Sequence, residues 1–216
     1  MANKNKVELV GIYGSDETHA LSAWTSTSRD LTDEKRGRMG KLLTMLATES
    51  HHSPFEKSSQ HFLVTTELAS HIHLLKHRIG VSINAESARY KELKDDKFYI
   101  PDDWSEDEQA KLVQHCQDSL DKYHSCLNRL IAGGIPRKRA KESARFYLPY
   151  ANQLTADVQF NFRSFMHFIQ LRNSEHAQKE IREIAQQMLI QVYETHQFDQ
   201  SLSAFGWTKE KIFNLT

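Results

Sequence analysis

The densest run of chemically capable side chains in this chain is KHRIGVSINAESARY, residues 76–90. It sets Lys76, His77, Arg78, Ser82, Asn84, Glu86, Ser87 and Arg89 where a core segment would carry apolar groups. The cations supply charge and donors for phosphate. Ser87, with the backbone amides of Ala88 and Arg89, can form the small concave cradle that a phosphate needs, and small Ala88 lets the backbone come close. On this stretch alone, a solvated basic helix end with ion pairs to Glu86 and Glu92 accounts for the same residues equally well.

A second cluster lies in NFRSFMHFIQLRNSEHAQKEI, residues 161–181. Asn161, Arg163, His167, Leu171 and Arg172 recur near helical spacing beside an apolar row of Phe165, Phe168 and Ile169, so one helix has two working faces. Arg145 sits among apolar neighbours in ARFYLP, where an arginine is expected only with an anionic partner. An internal ion pair explains each of these residues taken singly; together they ask for an anion.

The 12 histidines raise a metal reading, a zinc-dependent hydrolase. His73 and His77 stand at i, i+4, with His71 near and His51-His52 before a turn. No HExxH or cysteine-rich spacing supports it, and the surrounding cations oppose a bound metal. There is no GxSxG elbow for a serine nucleophile and no Gly-rich phosphate loop of either common kind.

The elements that must position these residues follow from pattern. Residues 7–13 (VELVGIY) read as a strand closed by Gly14-Ser15-Asp16, with a short helix near 19–24. Thr32 caps a second helix lined by Leu42, Leu43, Met45 and Leu46 that ends before Ser53-Pro54. Residues 60–67 alternate as a strand, and a helix over 69–78 leads into the central motif. After a polar loop with an extended piece at 98–100, Ser105 caps a long helix to Ala132, stopped by Gly133-Gly134, and Pro136 opens another. Residues 155–162 alternate again, followed by a helix through Arg172 and one over 174–194. Strands scattered among longer helices predict an α+β fold: one domain, residues 1–216, with a small, mostly antiparallel sheet flanked by long helices.

A chain of 216 residues buries a core without staples. Lysine plus arginine and aspartate plus glutamate both number 28, so any anion site is local. Cys116 and Cys126 fall about 15 Å apart along one helix, too far for a disulfide, and read as reduced thiols. No apolar signal-peptide core opens the chain, and no stretch approaches the ~18 apolar residues of a membrane span. The expectation is a soluble, cytoplasmic protein.

Seven segments in order carry a further signal: VELVGIYG near the start, SPFE at 53–56, KHRIGVSINAESARY, FYIP at 98–101, GIPR at 134–137, ARFYLP at 144–149, and the 161–181 stretch. In this combination the chain resembles the flavin-dependent thymidylate synthase family, whose signature is an Arg-His-Arg triplet, a spacer with Ser and Asn, then Ser-x-Arg-Tyr. The resemblance implies an α+β homotetramer that carries FAD. It also implies a methyltransferase that converts dUMP to dTMP, with methylenetetrahydrofolate as carbon donor, NADPH as reductant and sites shared between subunits. Ser53, Lys76, His77, Arg78, Asn161, Arg163, His167 and His176 would contact the flavin, with Ser26 as a further contact. Glu86, Ser87, Ala88, Arg89, Arg145 and Arg172 would hold dUMP, His73 takes the place of a uracil contact, and His51 lies by the folate. Arg172 is the expected catalytic residue, binding the uracil edge and favouring its ionised form.

The same resemblance shows two departures, Lys76 at the first triplet position and a spacer one residue longer before Ser87. An ordinary thymidylate synthase needs a cysteine thiolate, and both cysteines lie outside the seven segments. The competing function is a nucleic-acid or nucleotide-binding module without catalysis, using the same arginines on phosphates; neutral net charge and arginines among apolar residues weigh against nucleic acid.

Overall fold

The computed structural model describes residues 4–87, 92 and 97–213. The chain runs through β1 (Lys6–Tyr13), α1 (Asp16–Trp24), α2 (Asp33–Thr48), a 3-10 turn (Ser53–Glu56), β2 (Ser59–Glu67), α3 (Leu68–Leu74) and β3 (Val81–Ala85). It continues through α4 (Glu106–Ala132), α5 (Arg137–Ala144), a second 3-10 turn (Arg145–Tyr147), β4 (Gln153–Asn161), α6 (Phe162–Arg172), α7 (Lys179–Glu194), α8 (Asp199–Ala204) and α9 (Lys209–Phe213). The strands form one antiparallel sheet in the order β1-β2-β4-β3. This is the expected α+β class with a small antiparallel sheet.

Local chemistry sets most boundaries. Thr32 accepts from the Lys35 amide and Ser105 from the Glu108 amide, so both helices start where a capping side chain replaces the missing carbonyl. In β2 the even positions Gln60, Phe62, Val64 and Thr66 are buried while the odd positions from Ser59 to Thr65 are not, and in β4 Ala156, Val158 and Phe160 are buried. On the other face His61 Nε2 meets Asp157 Oδ1 at 2.5 Å.

Three boundaries differ from the sequence reading. The helix expected over 69–78 ends at Leu74, and residues 81–85 form a strand the sequence reading did not assign. Gly80, whose φ of +64 is left-handed, sits in the turn immediately before β3. The helix expected from Ser174 starts at Lys179, because the Ala177 amide donates to Ser174 O and closes a turn first. Helices α8 and α9, of six and five residues, carry no periodic signal long enough to read.

The chain divides into two compact units, one of Met1–Lys6, Thr65–Leu74 and Asn84–Ala156, the other of Val7–Val64, Leu75–Ile83 and Asp157–Thr216. The first is built on α4, whose buried face of Cys116, Leu120, Tyr123 and Leu127 packs with Phe98, Ile100, Ala140 and Ala144. The second has an aromatic core: Phe62, Phe160, Phe165 and Phe168 form one run of ring contacts, and His19, Phe55, Phe162, Phe198 and Phe205 another. Among the described residues, no helix is long and apolar enough to cross a membrane.

His19 is 0% exposed and sits at the centre of that second aromatic run. Ser201 Oγ donates to Asp16 Oδ1 at 2.5 Å, so it must accept from His19 Nδ1–H at 2.8 Å; His19 Nε2 then accepts from Ser58 Oγ at 2.8 Å. Every polar atom of the ring is satisfied in the neutral form, and burial pushes the His19 pKa down to about 3. Burial also raises the Asp16 carboxyl, against hydrogen bonds from Ser201 and Gln200 that lower it.

The signs are opposite. Unfolded His19 takes up a proton near pH 6.5 that the folded ring refuses, so stability falls as pH drops below that value. Folded Asp16 keeps a proton that the unfolded chain releases, so its contribution is largest in acid and is lost as pH rises through its folded value. Burial lowers His71 as well, in the same direction as His19. The slope due to His19 is about 1.4 kcal/mol per pH unit. Urea midpoints measured between pH 6.5 and 4.5 are expected to fall with pH, and His19→Gln to flatten that fall.

Candidate active site

The basic loop after α3 is tied to the start of α6. Asn161 caps α6 by accepting from the Ser164 amide at 2.8 Å, and its own amide donates to Gly80 O at 2.9 Å. Ser164 Oγ donates to Ile79 O at 2.6 Å. Residues 76–80 are thereby laid against the first turn of the helix that carries Arg163 and His167. Gly80 is obligatory at this junction, since a Cβ would meet Asn161 Nδ2 at 2.2 Å and Ser164 Oγ at 2.4 Å.

The result, within the second unit, is a cleft of ≈ 400 Å³ whose wall includes Lys76, His77, Arg78, Arg163 and His167. Arg163 and His167 lie one helical turn apart on α6, while Phe162, Phe165, Phe168 and Ile169 turn into the core. His77 packs edge-on against Phe168, with ring centroids 5.0 Å apart, and accepts from Arg172 Nε at 3.0 Å. Because Nε2 is the acceptor, the ring proton sits on Nδ1. Arg172 is thus oriented by a neutral imidazole.

Arg163 pairs with Glu56 Oε1 at 2.5 Å. Among the described residues no carboxylate pairs with Lys76 or Arg78, and both side chains reach solvent at the cleft. A second cavity of ≈ 540 Å³ takes in Asn161, Gly80, Glu56 and Ser58. The cleft and this cavity share Val81.

In the first unit, a separate pocket of ≈ 410 Å³ is lined by Glu86, Ser87, Arg145, Phe146, Asn152 and Leu154, among others. The Glu86 carboxylate accepts from the Thr155 amide at 3.0 Å, and the Glu86 amide donates to Thr155 O at 2.9 Å, which seats the segment after β3 beside β4. Arg145 stands at the α5–turn junction, exposed, beside Phe146 at 83% exposure.

The structure therefore gathers five of the expected flavin residues in one cleft and places Asn161 at its edge as a helix cap. Ser53 lies on the 3-10 turn and His176 in the 173–178 turn; both are exposed and neither lines the cleft. Ser26 and His51 are also exposed, and His73 is half-buried on α3. Ala88 and Arg89 lie outside the described residues. The sequence reading passed over Glu56, Gly80, Ser164 and Gln170. Of these, only Glu56 carried a signal, as the acid of SPFE near a basic cluster.

Among the described residues no three His, Cys, Asp or Glu side chains are grouped to hold a metal. Cys116 is 0% exposed, and burial pushes its thiol up to about 11, so it supplies no thiolate.

Gly80→Ala tests the loop's seating. The added methyl strains a left-handed backbone and displaces Asn161 and Ser164. A stability loss of about 1–3 kcal/mol is expected in chemical denaturation.

A family model described as thymidylate synthase complementing protein matches residues 8–196. The flavin-dependent thymidylate synthase of Pseudothermotoga lettingae is 34% identical over 186 residues, 83% of this chain and 80% of that protein. The one from Kosmotoga olearia is 30% identical over 200 residues, 84% of this chain and 82% of that protein. Among solved structures, the UMP/dUMP methylase PolB from Streptomyces cacaoi, bound with 5-Br dUMP, superposes with a TM-score of 0.77. It is 29% identical and covers 96% of this chain and 97% of its own. Sequence, fold and relatives agree: this chain belongs to the flavin-dependent thymidylate synthase family.

Proposed function

We propose that this chain is a cytoplasmic, FAD-dependent thymidylate synthase that methylates dUMP to dTMP, with methylenetetrahydrofolate as one-carbon donor and NADPH as reductant. The observation that carries the reading is the cleft in which Lys76, Arg78 and Arg163 stand beside His77 and His167, with Arg172 donating to His77. The side chains of the cleft suit the chemistry of a flavin dinucleotide. Lys76 and Arg78, without a carboxylate partner among the described residues, suit its diphosphate, and exposed Ile79 and half-buried Val81 offer apolar surface to a ring. When bound, FAD supplies hydride and one-carbon transfer chemistry that no side chain here can perform.

The protein's own part is orientation and charge. His77 holds Arg172 through Nε, so the guanidinium presents its positive charge in a fixed direction. Placed at the uracil edge, that charge stabilises the ring as it loses a proton and becomes nucleophilic at carbon. Glu86, Ser87 and Arg145 form a pocket of suitable size for a nucleoside monophosphate, with Arg145 as the phosphate partner and Phe146 and Leu154 as apolar walls; the family resemblance assigns Ala88 and Arg89 to the same substrate. His73 belongs with the uracil contacts, and Ser53 and His176 with the flavin. Buried Cys116 supplies no thiolate. Ile79 at 87% and Phe146 at 83% exposure are the large apolar groups that a homotetramer with shared sites would cover.

The purified protein is expected to be yellow or to take up FAD, and to oxidise NADPH faster when dUMP is added. Arg172→Ala is expected to keep the flavin absorbance while dTMP formation falls at least about a hundredfold. Protein that binds dUMP but neither FAD nor folate, and forms no dTMP, would be a nucleotide-binding module instead.

A further inference from the structure

The segment matched by the family model begins at residue 8, yet Asn5 stands at the centre of a buried polar network in the first unit. Its Nδ2 donates to Glu67 Oε2 at 2.7 Å, and its Oδ1 accepts from Gln153 Nε2 at 3.0 Å. Thr66 Oγ1 also donates to Glu67 Oε2, at 2.9 Å, and the Ser70 amide donates to Glu67 Oε1 at 3.0 Å. Gln153 Nε2 makes a second, longer bond to Lys4 O at 3.4 Å. Asn5, Glu67 and Gln153 are 8%, 4% and 2% exposed, and among the described residues no cation pairs with Glu67.

A carboxyl group buried without a cation is costly, and an apolar side chain fills such a position more cheaply. What an apolar side chain lacks is direction. Here the directed bonds end on the pocket of Glu86, Ser87 and Arg145, because Gln153 and Leu68 both line it. Glu67 caps α3 through the Ser70 amide, while the Leu68 amide donates to Tyr150 O at 3.0 Å and to Asn152 O at 3.1 Å. Asn5 thus links the start of α3, the helix that carries His73, to Gln153 at the start of β4.

We propose that Asn5 is a positioning residue of the dUMP pocket, holding Gln153 in its wall in register with Leu68 at the start of α3. The inference rests on the proposed function and extends that site to a segment the family model does not span.

The network demands one orientation, in which residue 5 gives a proton to Glu67 and accepts one from Gln153. An aspartate makes the same exchange only while protonated, through its O–H to Glu67 and its C=O from Gln153. Two carboxyl groups at this distance share one proton at lower pH and repel once it leaves as pH rises.

The test is steady-state dTMP formation by full-length, FAD-loaded protein. Asn5→Ala is expected to raise the KM for dUMP about tenfold, with kcat within about twofold and the flavin absorbance unchanged. For Asn5→Asp, the KM relative to wild type is expected to stay close to one at about pH 6.5 and to rise at least about fivefold by about pH 8.5. Lys4, Lys6, His71, Glu86, Lys97 and Arg145, the charged and titratable groups on the segments that meet here, are common to both proteins and cancel in that ratio. A wild-type KM in Asn5→Ala, or an Asn5→Asp ratio that is the same at both pH values, overturns the inference and leaves the proposed function standing. Should Asn5→Ala fail to fold, the Asn5→Asp ratio decides alone. Wild-type protein that forms no dTMP and binds no dUMP in calorimetry overturns the proposed function and the inference with it.

Discussion

The seating of residues 76–80 against the first turn of α6 is the constraint on which the candidate site depends. Three hydrogen bonds make it: Asn161 N to Gly80 O, Ser164 Oγ to Ile79 O, and the Asn161 cap on the Ser164 amide. The first two satisfy the carbonyls of Gly80 and Ile79, and the third an amide at the start of α6. They also convert a flexible basic stretch into a wall that faces Arg163 and His167. Asn161 was expected to touch flavin; the structure gives it a prior task, the joint between loop and helix, on which any ligand contact would be superimposed.

Charge is handled differently at each cation. Arg163 is paired with the Glu56 carboxylate, whereas Arg172 Nε donates to His77 Nε2, which in that role is a neutral acceptor. A carboxylate in the place of His77 would hold the guanidinium as firmly but would take away the field that Arg172 is proposed to exert. The aromatic core beneath α6 gives this arrangement its stiffness, since Phe168 supports His77 and Phe162 links the helix start to His19 and Phe55.

How much of this was legible in the sequence depended on range. Caps such as Thr32 and Ser105 act within four residues, and the long helix to Ala132 announced itself by period, so these elements were readable. The alternation of Val81, Ser82, Ile83, Asn84 and Ala85 was equally local, but it lay inside a polar motif where ligand binding was the more conspicuous explanation. The partner of Gly80 is 81 positions away, and no local pattern announces a contact of that kind. For the same reason the cleft wall supplied by Phe205 was not anticipated: α8 and α9 are too short for periodicity, and their value lies in what they pack against. Grouping the cations needed both long-range joints, and the sequence could show only that they asked for an anion.

The central claim is that the flavin, and not a protein thiol, is the agent through which dUMP becomes dTMP. The most direct measurement is a single anaerobic turnover without NADPH, in which FAD-loaded protein is reduced with dithionite, freed of excess reductant, and mixed with dUMP and methylenetetrahydrofolate. The account predicts one dTMP formed per flavin as the oxidised flavin absorbance returns, and the same yield from the Cys116→Ala/Cys126→Ala variant. A flavin that stays reduced with no dTMP formed, or a yield lost with the cysteines, would contradict it.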